Sequence, residues 1–598
     1  LSAVKSDRKV DSPPRTRVAV RIGITGHRTS GLEDADYETI RTGMGEILEI
    51  VRAAANEVKD MPHSLYADGA PPALRVISPL AEGADMLLAE ESLKRDYELE
   101  CILPFDRNEY EKDFSEKDSL ADYRELLAHA ASVMELNGSR ESAARENEAY
   151  QAVGRMVLSQ SDVLVTLWDG GDPKGKGGTG QIVREALLNE IPVIWINSKA
   201  PHEVKMLIGK EYGRHHEEDV SELKSRLFRF LRFRSSGDRD LCAIYFSESQ
   251  PTKTWGFLFE AFCDLFAWEE IKTAGSRVKD FHEETRAEWS RIWDSSPDMP
   301  GAVKEQINEK LLRHYGWADK LANYYSNIYR SSFLVNYLMA GFAVFFALLT
   351  VTIESYEPIW VLCELFLIIL IIIITYIGNR RKWHERWIDY RLLSEQLRSL
   401  RFLLPIGHTT PAFRVPAHDT YGDPRSSWVN WHFRAIVREA GIVSVRMDEN
   451  YLKSYGEFLS DSELADQIKY HKDNSIRFRT TNHNLHFLGI VLFVLTGIVV
   501  LLHLFIHSPW LTLLAAVLPA FGAAFYGIRT QGEFEQVAKR SDAMSDYLEN
   551  VRNNLTAPEF PCTLAAVGYI AEDIAEIMST ETLDWRIVFQ SKRLVLPG

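Results

Sequence analysis

The chain has 598 residues, 46% of them hydrophobic and 25% charged, and carries a net charge of −16. This is the composition of a folded, multi-domain chain, and its acidic total is the opposite of the basic face that a general nucleic-acid binder presents. Five cysteines (Cys101, Cys242, Cys263, Cys363 and Cys562) stand at least 21 residues apart, which excludes a CxxC zinc or redox motif and a dense disulfide framework and fits a reducing, cytoplasmic setting for the soluble parts.

Residues 1–16 are polar, include Pro13 and Pro14, and read as a flexible lead-in with the pattern of neither a signal peptide nor a transit helix. From residue 17 to about 200 short β-branched runs alternate with amphipathic helices. Strands are predicted at Val18–Ile24, Leu74–Ser78, Leu99–Pro104, Val163–Trp168 and Val193–Asn197, and helices at Tyr37–Val58, Gly83–Arg95, Glu146–Ser159 and Gln181–Asn189. That alternation specifies an α/β, Rossmann-like domain with a mostly parallel sheet and helices on both faces.

Ligands of such sheets sit at the carboxyl ends of the strands. The first strand is followed by Thr25-Gly26-His27-Arg28 and the second by Ser78 to Asp85, with Glu82, Gly83 and Asp85. The third is followed by Pro104-Phe105-Asp106, and the fourth by Asp169-Gly170, leading to Gly177-Gly178-Thr179-Gly180 and Glu185. Glycines before a helix expose N–H groups suited to phosphate, His27 and Arg28 add charge-assisted donors, and Glu82, Asp85 and Glu185 can accept from ribose hydroxyls or a base. A nucleotide-type ligand is therefore expected, with no other cofactor. Gly170 to Gly177 matches GxxxxGK, but Gly177 replaces the Ser or Thr that would hold magnesium, so no NTPase is expected. A GxGxxG fingerprint is likewise absent. No metal cluster or nucleophile triad stands out, and His215-His216 reads as a surface pair.

Residues 201–330 read as a largely helical linker domain with a charged surface (Glu217 to Asp219, Lys224, Arg226, Arg229), its last helix, Trp317–Arg330, running into an apolar segment. Ser331 to Ile353 has no charged residue, and Pro358 to Gly378 follows after only four residues; the same arrangement recurs at Leu485 to Phe505 and Pro509 to Ile528. Each run is long enough for about 30 Å of hydrocarbon, which predicts four membrane spans in two antiparallel hairpins, at 331–404 and 471–555 with their cytoplasmic helices. Lys320, Arg330, Arg380 to Lys382, Arg477, Arg479 and Arg529 flank the ends opposite the turns, so the positive-inside rule puts both termini in the cytoplasm of a cell (inner) membrane.

Tyr329-Arg330-Ser331-Ser332 and Phe478-Arg479-Thr480-Thr481 lie 149 residues apart, as do Gly378 and Gly527 and also Arg391 and Arg540, which suggests a duplication. Glu364, about 9 Å of helix inside its span, is either a pore residue or a group that snorkels or is protonated. Ala516, Ala520 and Ala524 form a small-residue stripe beside Pro519, which is expected to kink its helix. Residues 405–470, with Pro405, Pro411, Pro416 and Pro424, read as a cytoplasmic linker with a helix near Trp428 to Glu439, and 556–598 as a tail.

The segment 17–200, with Gly23 to Arg28, Ser78 to Asp85 and Gly177 to Gly180, resembles a SLOG domain, the Rossmann-like nucleotide-binding superfamily that includes the LOG phosphoribohydrolases. The hairpins, with Trp387 to Glu395 following the first, resemble the two-span SLATT effectors. Together these resemblances imply a bacterial defence protein whose soluble domain senses a nucleotide-derived signal and whose membrane part, as a homo-oligomer, opens a pore or disrupts the bilayer. The PGGxGTxxE motif of LOG enzymes is not reproduced, because Gly-Gly-Thr-Gly is followed by Glu185 five residues later, which favours binding over hydrolysis. The alternatives are a membrane-anchored N-glycosidic hydrolase, with Glu185 or Glu82 as acid or base, and a scaffold stabilised by its ligand.

Overall fold

The β-branched runs pair, in a computed structural model, as the core of one nine-stranded sheet; the structure describes residues 12–33, 35–114, 116–172, 177–209, 215–233, 239–269, 277–409, 427–590 and 594–597. Most of the expected lead-in, Pro173 to Lys176 of the P-loop-like stretch, and Pro411, Pro416 and Pro424 lie outside these residues. Strands β1 (Ala19–Gly26), β2 (Ala73–Ser78), β3 (Glu98–Leu103), β4 (Ser132–Glu135), β5 (Val163–Trp168), β6 (Val193–Asn197), β7 (Val204–Gly209), β8 (His215–Asp219) and β9 (Val445–Arg446) adopt the order β8-β7-β6-β5-β1-β2-β3-β4-β9. All neighbours are parallel except β6–β7 and β7–β8.

Helices α1 (Tyr37–Lys59), α2 (Ala84–Leu93), α3 (Arg107–Tyr110), α4 (Lys117–Ala128), α5 (Ala143–Ser159), α6 (Thr179–Leu188) and α7 (Glu222–Leu231) connect and flank the strands. A Cβ at Gly23 would meet Ser161 and Val157 at the end of α5, whereas one at Gly26 would meet Ala84 of α2, so successive β1 residues face helices on opposite sides of the sheet.

Two features depart from the expected division at residue 200. Strands β7 and β8 continue the sheet inside the segment expected to be helical. The run His215 to Asp219 alternates exposed and half-buried side chains, and its charges suit an edge strand, which must resist pairing with other chains. On the opposite edge, β9 comes from residues 445–446, inside the expected linker, and Met447 N–H donates to Glu135 O at 2.8 Å.

The remaining chain is helical: α8 (Arg239–Phe246), α9 (Phe257–Ala267), α10 (Phe281–Asp294), α11 (Gly301–Thr352), α12 (Glu357–Arg380), α13 (Trp383–Leu403), α14 (Trp428–Ala440), α15 (Glu449–Phe458), α16 (Ala465–His503), α17 (Pro509–Gly532), α18 (Phe534–Leu555) and α19 (Leu564–Gln590). Four helical stretches are long and apolar enough to cross a membrane: Gly301–Thr352, Glu357–Arg380, Glu449–His503 and Pro509–Leu555. Within these, α11 packs on α12 and α17, and α17 packs on α16, so the apolar segments form a row α12–α11–α17–α16. Small residues allow the central contact, since Gly341 faces Phe521 and Gly527 faces Tyr337.

Both hairpins share one plan. The long helices α11 and α16 pack against α13 and α18, and the return helices α12 and α17 end at left-handed residues, Lys382 (φ 52°) and Glu533 (φ 49°). An aromatic residue, Trp383 or Phe534, then opens the next helix. The two hinges, Lys382 and Glu533, stand 151 residues apart, so the units share a plan without keeping the 149-residue offset of the sequence anchors at this point.

One cluster of buried apolar side chains runs from Val18 in the sheet to Ile528 beside the apolar row. Polar contacts join the same parts. Arg75 donates to Arg438 O at 2.6 Å, Ile442 N–H donates to Glu100 at 3.2 Å, and Ser444 N–H donates to Gln306 of α11 at 3.0 Å. Gly441 (φ 63°) sits where a Cβ would lie 2.2 Å from Glu100 Oε1. Gly441→Ala is therefore expected to lower stability by about 2 kcal/mol or more, through backbone strain and displacement of a buried ion pair. Gly456→Ala, in a helix with open space around it, should be neutral or slightly stabilising. Thermal unfolding of the detergent-solubilised chain checks both, and equal midpoints for the two variants would contradict the docking.

Candidate functional site

The strand order reverses between β1 and β5, so the crevice beyond their carboxyl ends is where an open α/β sheet binds ligands. His27 locks three loops there: its N–H donates to Leu167 O at 2.9 Å, and its carbonyl accepts from Ala84 N–H at 3.2 Å. Gly83 (φ 104°) is required at that junction, because a Cβ would lie 2.6 Å from His27 O. Thr25 and Gly26 end β1, and Gly26 permits the close approach of α2, as a Cβ would lie 2.3 Å from that of Ala84.

The His27 ring faces Asp169, whose N–H donates to Nε2 at 3.2 Å. Asp169 in turn accepts from Gly171 N–H at 3.0 Å and Lys199 Nζ at 3.1 Å. These bonds, that of Gly171 first, lower its carboxyl to about 2.

Arg28 donates to Asp113 at 3.0 Å and lies over the Tyr150 ring, 5.1 Å from its centroid. Tyr150 OH donates to the same carboxylate at 2.6 Å, and Arg140 joins it while also pairing with Glu146. Asp113, Arg140, Tyr150 and Lys199 are thus site residues that the reading of strand ends missed. Asp113 and Arg140 lie in the connections after β3 and β4, and β4 was not predicted, so the Gly138 that precedes Arg140 was not read as a strand end.

Asp85, in the first turn of α2, is buried, and burial pushes its carboxyl up to about 7 against a hydrogen bond from Ala81 N–H and the charge of Arg28. Ser78 shapes the same loop, accepting from Leu80 N–H at 3.0 Å and donating to Asp85 O at 3.2 Å; Leu80 takes a left-handed φ of 55° between them. Glu82 is half-buried in this loop.

Gly177 (φ 81°) packs against α5 beside Tyr150, since a Cβ would lie 2.8 Å from Gln151 N. Gly178 caps α6, Thr179 opens it and Gly180 is buried in its first turn. Neither α2 nor α6 has a side-chain cap, so the positive ends of both helices flank the crevice. Glu185 stands apart from this group. It lies further along α6, where it takes two hydrogen bonds from Arg155 of α5, at 2.9 and 2.8 Å, and one from Gln181 at 2.8 Å.

The crevice therefore gathers cations held by exchangeable carboxylates, uncapped helix starts and one carboxyl that titrates near neutrality. Among the described residues no group of three or more His, Cys, Asp or Glu side chains is arranged to hold a metal ion. Glu364 lies on the half-buried side of α12 and forms no ion pair or hydrogen bond with a described residue.

Residues 316–404 match a protein family described as "Protein of unknown function (DUF4231)". The match covers the membrane-proximal part of α11, all of α12 and α13, and so corresponds to the first of the two hairpin units. No curated protein and no solved structure matches the chain.

The raised Asp85 carboxyl gives a pH test. Because its folded value exceeds its unfolded one, deprotonation opposes folding: the penalty is absent below about pH 4, grows towards pH 7, and is complete above it. Asp85→Asn is expected to gain thermal stability over the parent chain across that range, approaching about 4 kcal/mol at most. A difference that stays flat between pH 4 and pH 8 would show that Asp85 is not buried as described.

Proposed function

We propose that the protein is a ligand-gated membrane effector: the sheet crevice binds a phosphorylated, nucleotide-type ligand, and the apolar hairpins respond in the membrane. The observation that carries this reading is the convergence, at the point of strand-order reversal, of Arg28, Arg140, Lys199 and two uncapped helix starts. Phosphate displaces Asp113 from Arg28 by offering the same charge with more acceptor oxygens. The base and ribose meet Tyr150, Asp85 and Glu82.

The engagement of Glu185 by Arg155 favours sensing over N-glycosidic cleavage. The SLOG-like loops and SLATT-like hairpins support placing the protein in bacterial defence, in a cell membrane with both termini in the cytoplasm, as the basic flanks require. A row of four helices encloses no channel of its own, so a pore forms between copies of the chain, with Glu364 a residue placed to line it. The ligand gates that pore by the ratio of its affinities for the open and closed arrangements.

The test uses the full chain, because β9 and α14 complete the sheet domain. AMP, NAD, ADP-ribose, cyclic ADP-ribose isomers and cyclic dinucleotides are each scored for a melting shift and, from the same tubes, for nucleotide recovery by chromatography. One of them is expected to raise the melting point and return intact, and Arg28→Ala to weaken it at least tenfold, about 1.4 kcal/mol. Conversion to base and ribose products would make the protein a membrane-anchored hydrolase, and no shift from any of them would remove the sensor reading.

A further inference from the structure

Below the apolar row a second polar site lies between the two hairpin units. Helices α11, α13, α16, α18 and α19, with Glu260 of α9, line a cavity of about 370 Å³, and α11, α13 and α16 turn polar stripes towards it at helical spacing. On α11 the stripe is Asn323, Ser326, Asn327 and Arg330; on α16 it includes Gln467, Asn474 and Arg477. Polar stripes on three packed helices are costly unless something polar fills the space between them.

The charges in the wall are unevenly matched. Arg391 and Arg398 share Glu395, and Arg477 pairs with Glu260 at 2.8 Å and Asp264 at 2.6 Å. Arg330 forms no ion pair or hydrogen bond with a described residue. Its guanidinium is instead clamped between two rings, 4.9 Å from the Trp387 centroid and 5.3 Å from that of Phe259. Such stacking fixes the plane of the group and leaves its N–H edge available for an acceptor. The arginine at the corresponding place in the second unit, Arg479, is neutralised by Asp542. Among the described residues the first unit's arginine is thus left without an ion pair of its own, facing Glu260 of the same wall only at longer range.

We propose that this cavity is a binding site for a phosphate-bearing anion, held by the ring-clamped Arg330 and by the amides of Asn327 and Asn474, the Asn323 amide being held by Asp319 at 3.1 Å. A planar guanidinium presents paired donors to phosphate oxygens, and the volume admits a group of mononucleotide or lipid-headgroup size. Since α11 and α13 belong to one hairpin unit and α16 and α18 to the other, an occupant bridges the two and fixes their spacing. The site is separate from the sheet crevice and shares no residue with it.

The experiment uses the purified full chain and two kinds of probe. In neutral detergent, melting is followed against inorganic pyrophosphate. In nanodiscs, the chain in phosphatidylcholine alone is compared with the chain in phosphatidylcholine containing phosphatidylglycerol. Stabilisation by the soluble probe identifies a free phosphate compound, and stabilisation by phosphatidylglycerol alone identifies a headgroup. In either case Arg330→Gln weakens the effect at least tenfold, while Lys205→Gln, exposed beside the edge strand of the sheet, leaves it unchanged. Asn474→Leu, which removes an amide without disturbing the ring clamp, gives a second loss of binding should the arginine variant fail to fold. No stabilisation in either arm, or equal stabilisation of the parent chain and both cavity variants, would overturn the proposal and leave the cavity a water-filled space.

Discussion

The 52 residues of α11 form one uninterrupted helix, about 78 Å long, whose first half is buried in the core shared with the sheet and whose second half belongs to the apolar row. A regular helix bends only at a proline, a bulge or an inserted group, and α11 contains no proline. Its first half holds the sheet through Gln306 and Lys310, which bond to Ser444 and Ala440. Its second half holds α12 and α17. Displacement of the sheet edge is therefore displacement of the helix at the centre of the row. The sheet crevice and the apolar row need no separate coupling device.

The hairpin units explain why the row has its order. Each unit is a long helix, a return helix broken at a left-handed residue, and a third helix folded back on the first; the two units meet through α11 and α17, leaving α12 and α16 outermost. The buried pair Arg401–Glu463, with bonds of 2.6 and 2.7 Å, ties the end of α13 to the π-helical turn Leu459–Leu464 just before α16. The units are thus joined at two levels, by small residues within the row and by ions below it. The polar cavity lies between these levels, where an occupant changes the spacing of the units with little repacking of either.

Much of this was legible in the residues. The spans are evident because a charge-free run of that length has few soluble uses, and the five predicted strands of the parallel core match because buried β-branched runs leave little choice of state. The edges of the sheet were not legible. Strand β8 is His-His-Glu-Glu-Asp, a sequence without an apolar residue, and β9 is two residues long and arrives from the far side of α11 and α13. Nothing local distinguishes such segments from loop, and only the finished sheet selects them.

The site divides in the same way. His27, Arg28, Gly83, Asp85 and Asp169 follow strands directly, so topology places them together. Asp113 and Tyr150 reach Arg28 through helices whose direction sequence spacing does not fix. By sequence Glu185 reads as a ligand acceptor because it follows the Gly177 to Gly180 turn, yet its position along α6 gives it to Arg155.

The central claim is that sheet and α11 are one mechanical unit, and hydrogen exchange on the full chain in nanodiscs tests it directly. Amides of β1, β2 and the N-terminal half of α11 should open with a common free energy and respond together to Gly441→Ala. If α11 between Gln306 and Arg330 exchanges independently of the sheet, the continuity of the core does not carry force and the account fails.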